Sequence, residues 1–158
     1  MSRMKCLIAY LSYSGNTEEV AELIQQVAEK QHVAVDMHEI GIDEVSYPLD
    51  EYDVIFIGTF TWDLGRTPEE IKEFVLDVGY KPDNIAVFGT GDTQFGGDDL
   101  FCKAVDRLVK FYNSKWDGLK IEQSPRGYQE QFVIEWAERV LESVKATNKS
   151  KNIRATLS

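Results

Sequence analysis

Three stretches of this chain are apolar without interruption: "CLIAYL" at 6–11, "VIFIG" at 54–58 and "IAVFG" at 85–89. A strand with one face in water alternates apolar and polar residues. A dense run needs cover on both faces, and a parallel sheet sandwiched between helices supplies it. "VAVDMHEI" (33–40) alternates more and predicts a strand nearer an edge; "LKIEQ" (119–123) is a weaker fifth candidate. Between these runs the apolar period lengthens to that of a helix. Val20, Leu23, Ile24, Val27 and Ala28 form one stripe, and Ile71, Phe74, Val75 and Val78 a second. Leu100, Ala104, Val105, Leu108, Val109 and Tyr112 form a third; Phe132, Val133, Trp136, Ala137, Val140, Leu141 and Val144 a fourth. "TPEE" (67–70) reads as a helix start, with a capping threonine, proline at the first helical position and acids in the first turn.

The predicted order is β-α-β-loop-β-α-β-α-β-α, an α/β fold in one three-layer domain built on a five-stranded parallel sheet. At 158 residues the chain suffices for one full core. Residues 1–147 are assigned to that domain. Residues 148–158 form a polar, basic tail expected to fray.

Sheets of this kind take ligands beyond the carboxyl ends of their strands, where strand order reverses. Three strands run into unusual loops there: "SYSGNT" (12–17), "TFTWDLGRT" (59–67) and "TGDTQFGGDD" (90–99). The first offers hydroxyls from Ser12, Ser14 and Thr17, a close backbone turn at Gly15, and the N–H groups of a helix starting near Asn16. That combination suits a phosphate held by neutral donors. It has neither the length nor the GK[ST] ending of a loop that transfers phosphoryl groups. It also lacks the three glycines of a dinucleotide fingerprint, although Asp36 lies about where a ribose-binding acid would. A serine-rich helix cap with nothing bound is the plain alternative.

Trp62 in the second loop gains little from solvent unless a flat partner covers it. Folding back onto the domain's own core is the alternative. Phe95 holds the corresponding place in the third loop. Two rings beside a phosphate site suggest a planar ring system stacked between them, with Gly91, Asp92, Thr93 and Gln94 meeting its polar edge.

These loops resemble those of flavodoxins, small FMN-binding electron carriers. "SYSGNT" is similar to the family's [ST]-x-[ST]-G-x-T phosphate loop, and "GTFTW" (58–62) to the strand and loop leading to a ring-stacking aromatic. "GTGDTQF…FCKAVD" (89–106) resembles the G-x-G-D…F-C-x-A-V-D segment. "DGLKIEQSP" (117–125) is like the last strand of short-chain members, which lacks an insertion. The resemblance implies strand order 2-1-3-4-5, for which flavodoxin is the standard example. It implies FMN as cofactor, its phosphate on Ser12, Ser14, Gly15, Asn16 and Thr17, and its ring between Trp62 and Phe95. Asp63, Leu64, Thr90, Gly91 and Asp92 would contact the ring edge, and Tyr13, Thr59, Thr61, Gly65 and Gln94 complete the expected binding set.

A carrier needs no catalytic group, and none is assigned; no metal ligands are assigned either. His32 and His38 lie around the second strand and are expected at the surface or sheet edge. The chemistry would be the flavin's. With Asp63, Asp92, Asp98 and Asp99 around it, and Arg66 the one cation in those loops, a low potential is expected for the second electron.

The formal net charge is −10. All 27 acids and 13 of the 17 bases precede residue 145, leaving Lys145, Lys149, Lys151 and Arg154 in an acid-free tail. So acidic a body disfavours nucleic acid and anionic membrane. It favours basic redox partners, with an NADPH-dependent flavodoxin or ferredoxin reductase as donor and an acceptor enzyme beyond it. Cys6 and Cys102 form no CxxC and read as reduced core thiols in a cytoplasmic, monomeric protein. An enzyme of its own, a flavin-dependent quinone reductase or a ribonucleotide-reductase-activating flavoprotein, is the second reading. A cofactor-free signalling module ranks last, because Gly58 and Thr59 stand where it would need an aspartate.

Overall fold

The computed structural model describes residues 4–43, 49–61, 67–79, 81–91 and 102–157, with side chains through Lys149. Five strands form one sheet: β1 (Lys5–Tyr10), β2 (Ala34–Glu39), β3 (Val54–Phe60), β4 (Ile85–Gly91) and β5 (Leu119–Glu122). Their order is β2-β1-β3-β4-β5, and every neighbouring pair is parallel. Four helices connect or follow them: α1 (Asn16–Lys30), α2 (Glu69–Val78), α3 (Lys103–Tyr112) and α4 (Tyr128–Leu157). A short 3-10 turn, Leu49–Glu51, precedes β3.

The dense runs are the three central strands, and their residues alternate between two cores. Cys6, Ile8, Phe56, Ala86 and Phe88 point to the side covered by α1 and α4. Leu7, Ala9, Ile55, Ile57, Ile85 and Val87 point to the side covered by α2 and α3. Burying both faces is what removes the polar half of the alternation. On the first side Trp136 of α4 lies edge-on to Phe56 and Phe88, with ring centroids 5.7 and 6.4 Å away. Its indole N–H donates to the Asp117 carbonyl at 2.8 Å, so the polar edge of a buried ring is satisfied. β5 runs without interruption, as the short-chain resemblance implies.

Several local expectations shift. The residue at the cap position of α2 is Pro68 rather than Thr67, and the helix begins at Glu69. Thr67 is placed instead to accept a hydrogen bond from Arg107. His38 lies on the edge strand yet is only 2% exposed. Its side chain turns inward to meet Phe74 of α2, with centroids 5.6 Å apart, and burial pushes its pKa down, partly opposed by Asp43. His32 is exposed, in a left-handed turn after α1. Asp36 sits mid-strand, opposite Leu7. Its carboxylate accepts from the Tyr52 hydroxyl at 2.7 Å and pairs with Lys5 at 3.7 Å, far from a ribose-binding role at a strand end. Phe132, placed in the fourth stripe by period, is half exposed and stacks edge-on with exposed Tyr128.

α4 also continues through Leu157, past Val144, the last buried residue of its stripe, where fraying was expected. The Lys145 ammonium donates to the Gln31 side chain at 2.9 Å, and the Asn148 amide to Asp53 at 3.0 Å. These bonds tie the helix to the end of α1 and the start of β3. They give the backbone beyond Val144 a reason to stay helical that apolar periodicity does not register.

The strands approach closely at Gly58, where any Cβ would overlap the ring of Phe88 on the next strand. Phe88 is fully buried and has no room to yield. Gly58→Ala should therefore cost roughly 1–3 kcal/mol, the usual range for overpacking. The expected outcome is a urea midpoint clearly below the parent's at unchanged slope; an unchanged midpoint would refute the close approach.

Candidate functional site

Parallel strands deliver all their carboxyl ends to one edge of the sheet. The order reverses between β1 and β3, because the chain leaves β1 outward to β2 and must cross back to β3. The ends of β1, β3, β4 and β5 are laced together there. Leu11 N–H donates to the Gly58 carbonyl at 3.0 Å, Thr61 N–H to the Thr90 carbonyl at 3.2 Å, and Gln123 N–H to the Gly91 carbonyl at 2.7 Å.

The first loop turns at Gly15, whose φ of 91° is left-handed and favours glycine there. Ser12 Oγ accepts from the Gly15 N–H at 3.1 Å, which closes the turn and leaves the serine its own proton to donate. The first helical bond of α1 runs from Glu19 N–H to the Gly15 carbonyl. The N–H groups of Asn16, Thr17 and Glu18 precede it, and a glycine at the cap position has no side chain to cover them. With Ser14 exposed beside them, these neutral donors at the positive end of a helix dipole fit a phosphate monoester.

Thr17 is built differently from the serines. It is 1% exposed, and its hydroxyl faces the strands. It lies 3.5 Å from the Thr59 carbonyl as donor and 2.9 Å from the Thr90 hydroxyl, which is then left to donate to it. Thr59 and Thr90 are themselves buried, and the Thr59 hydroxyl donates to the Phe60 carbonyl at 2.9 Å. Thr17, Thr59 and Thr90 therefore converge on one point beneath the loop. Thr61 is half-buried at the end of β3, where its hydroxyl accepts from the Ala104 N–H at 3.2 Å. Gly91 ends β4 beside it.

Tyr13 is exposed and rests on Phe60, with ring centroids 4.9 Å apart. Together with Thr67, Pro68, Glu69, Glu70 and Lys72 they line an open groove of about 250 Å³ beside the loop. Phe60 was not singled out from sequence, because a phenylalanine ending an apolar strand looks like core; its neighbour across the loop could have flagged it only through tertiary contact. Trp62, Asp63, Leu64, Gly65, Arg66, Asp92, Thr93, Gln94, Phe95, Asp98 and Asp99 lie outside the described residues.

The thiols are poor candidates for chemistry. Cys6 and Cys102 are free and fully buried. Burial pushes each pKa up to about 12; Asp36 and Asp53 add to the effect at Cys6, while Lys120 partly opposes it at Cys102. No helix among the described residues is long and apolar enough to cross a membrane.

A family model described as flavodoxin matches residues 8–115, which span β1 to the end of α3. The chain belongs to the flavodoxin family. Its members are electron carriers that bind FMN. Among its relatives, probable flavodoxin 2 of Bacillus subtilis is 36% identical over 139 residues, covering 82% of this chain and 89% of that one. Probable flavodoxin 1 of the same organism is 33% identical over 145 residues, covering 90% and 84%. The crystal structure of oxidised flavodoxin 2 from Bacillus cereus superposes with a TM-score of 0.75 at 34% identity, covering 88% of this chain and 99% of that one.

The Thr17–Thr90 contact ties the start of α1 to β4. Replacing Thr17 with valine keeps the shape and strands the Thr90 hydroxyl in a buried place, at a cost of about 1–3 kcal/mol. Thr17→Val should lower the urea midpoint accordingly, while Thr17→Ser, which restores the hydroxyl, should recover most of it. Equal loss in both variants would assign the effect to the methyl group instead.

Proposed function

We propose that this chain is a low-potential one-electron carrier that binds FMN at the β1/β3 crevice and passes electrons between a flavin reductase and acceptor enzymes. The observation that carries the reading is the glycine-capped start of α1, with uncovered N–H groups and serine hydroxyls at the family's phosphate position. FMN supplies the redox chemistry of its isoalloxazine ring. The rest is the work of the chain's own residues.

Ser12, Ser14 and the N–H groups of Asn16, Thr17 and Glu18, presented by the turn at Gly15, would hold the phosphate without a formal positive charge. The Thr17 hydroxyl serves the frame beneath rather than the ligand. Trp62 and Phe95 would flank the ring and exclude water from its faces, Asp63, Leu64, Gly65, Thr90, Gly91, Asp92 and Gln94 would meet its edge, and Tyr13 would shield the mouth of the first loop. Asp63, Asp92, Asp98 and Asp99, together with a phosphate held by neutral donors, would disfavour further negative charge at the site and so keep the potential for the second electron low.

The same acidity serves docking. Glu69 and Glu70 open α2 beside the groove, and the body carries more than twice as many acids as bases. The partner surface is correspondingly basic, and encounter is steered by charge.

Purified protein should be yellow, or should turn yellow with one equivalent of added FMN. In a spectroelectrochemical titration its second midpoint should lie below that of free FMN. Colourless protein that refuses FMN would overturn the assignment; a second midpoint at or above the free value would overturn the electrostatic part alone. Reduction by an NADPH-dependent flavodoxin reductase should slow as salt is raised. A rate indifferent to salt would remove the acidic docking face, and oxidation of NADPH by the isolated protein would favour an enzyme over a carrier.

A further inference from the structure

Among the buried described residues, His38 alone has a side chain whose ordinary charge change falls between about pH 5 and 8, and the carrier chemistry makes no use of it. It is the single buried position of edge strand β2. Pairing with Ala9 of β1 fixes the backbone there, and the imidazole lies against Phe74 of α2, ring centroids 5.6 Å apart. We propose that His38 is an acid-operated latch: its neutral ring holds α2 on the sheet, and its protonation releases the helix. The latch needs no flavin, since its parts are β2, the turn that follows it and α2.

α2 is lightly seated. It buries only Ile71 and Phe74, whereas α1 buries six residues. Lys72, Glu73, Leu76 and Asp77 are exposed, so the hold on the sheet rests on Ile71 and on Phe74, which lies against His38. An element with so few buried contacts belongs to the part of a protein that opens locally before the whole unfolds.

A neutral imidazole suits this place and an imidazolium does not. The core on this face is built from Leu7, Ala9, Ile40, Ile71 and Phe74, which offer a charge no partner, and burial pushes the His38 pKa down. Asp36, two residues back on the same face of β2, is engaged by Tyr52 and Lys5. Glu39 falls on the opposite face of the strand, and Tyr10 of β1 belongs to the opposite core. On α2, Glu70 and Asp77 stand about one turn either side of Phe74. Glu70 touches the turn after β2, where a Cβ on Gly41 would lie 3.7 Å from its Cγ. Asp43, in that turn, is the group whose charge reaches His38 and favours its protonation. Two bonds with Glu39 hold it there: the Asp43 N–H donates to the Glu39 carbonyl and its carboxylate accepts from the Glu39 N–H, both at 2.9 Å.

The ring thus has two favourable places, one for each charge. Neutral, it covers Phe74 and is covered by it. Charged, it is better placed outside, toward the Asp43 carboxylate, and Phe74 loses its cover. The first turn of α2 supplies Pro68, Glu69 and Glu70 to the groove shared with Tyr13 and Phe60, so release of the helix remodels that groove. Seated α2 binds the proton more weakly than released α2. The hold is therefore complete above the ordinary imidazole value of about 6.5, and is lost as pH falls from there through the lower value of the seated state. Within that window the opening constant of α2 rises by up to about tenfold per pH unit.

Native-state hydrogen exchange on the full chain tests this, with α2 amides compared with those of α1 at about pH 7.5 and about pH 5.5, each corrected for its intrinsic rate. Opening of α2 should rise about tenfold between the two conditions relative to α1, which covers the other face of the sheet. His38→Phe keeps a ring against Phe74 but takes no proton, and should abolish the rise. His38→Gln should abolish it too, from a higher starting level. His32→Gln, at the exposed turn after α1, should leave it in place. In the parent, the His38 ring resonances should titrate below about pH 6.5. A rise of less than about twofold in the parent would overturn the latch. So would an undiminished rise in both His38 variants, which would assign it to Asp43, Glu70 or Asp77. Should neither variant fold, a His38 ring titrating at or above about pH 6.5 in the parent overturns it alone.

Discussion

β1 is paired in parallel with β2 on one side and β3 on the other, and this constraint organises the molecule. Parallel neighbours cannot be joined by tight turns, so each connection crosses a face of the sheet and covers it. The β1–β2 connection runs one way along the sheet with α1 on one face, and the β3–β4 connection runs the other way with α2 on the opposite face. That reversal is where sheets of this kind take ligands.

The crevice is held by hydroxyls rather than charges. Thr17, Thr59 and Thr90 are buried and satisfy one another or nearby carbonyls, so the floor of the site carries no formal charge to be neutralised. Above it the serine hydroxyls and the N–H groups at the start of α1 bring no formal charge either.

Close approach is the second device. Gly58 admits the Phe88 ring between strands, and Gly89 and Gly118 admit Val105. The first fixes the spacing of the central sheet. The second seats α3 low enough for its first turn to find an acceptor on β3. A packing choice in the core thereby reaches a polar contact at the edge of the site, through a helix with no side-chain cap of its own.

The sequence by itself determined the dense strands, the helical stripes, the close turn at Gly15 and the family's loop pattern, because each is written in local periodicity or in neighbouring residue types. Only the tertiary structure decided which polar groups meet. His38 alternates like an edge residue yet is buried, because α2 brings Phe74 against it. Phe132 fits an apolar stripe yet is half exposed, because nothing among the described residues covers that side of α4. Thr67 looks like a helix cap and Thr61 like a ligand contact, yet both oxygens serve α3, more than thirty residues away in the chain. A hydrogen bond between distant segments leaves no periodicity behind; its partners are chosen by how closely the elements pack, and that is a property of the assembled core.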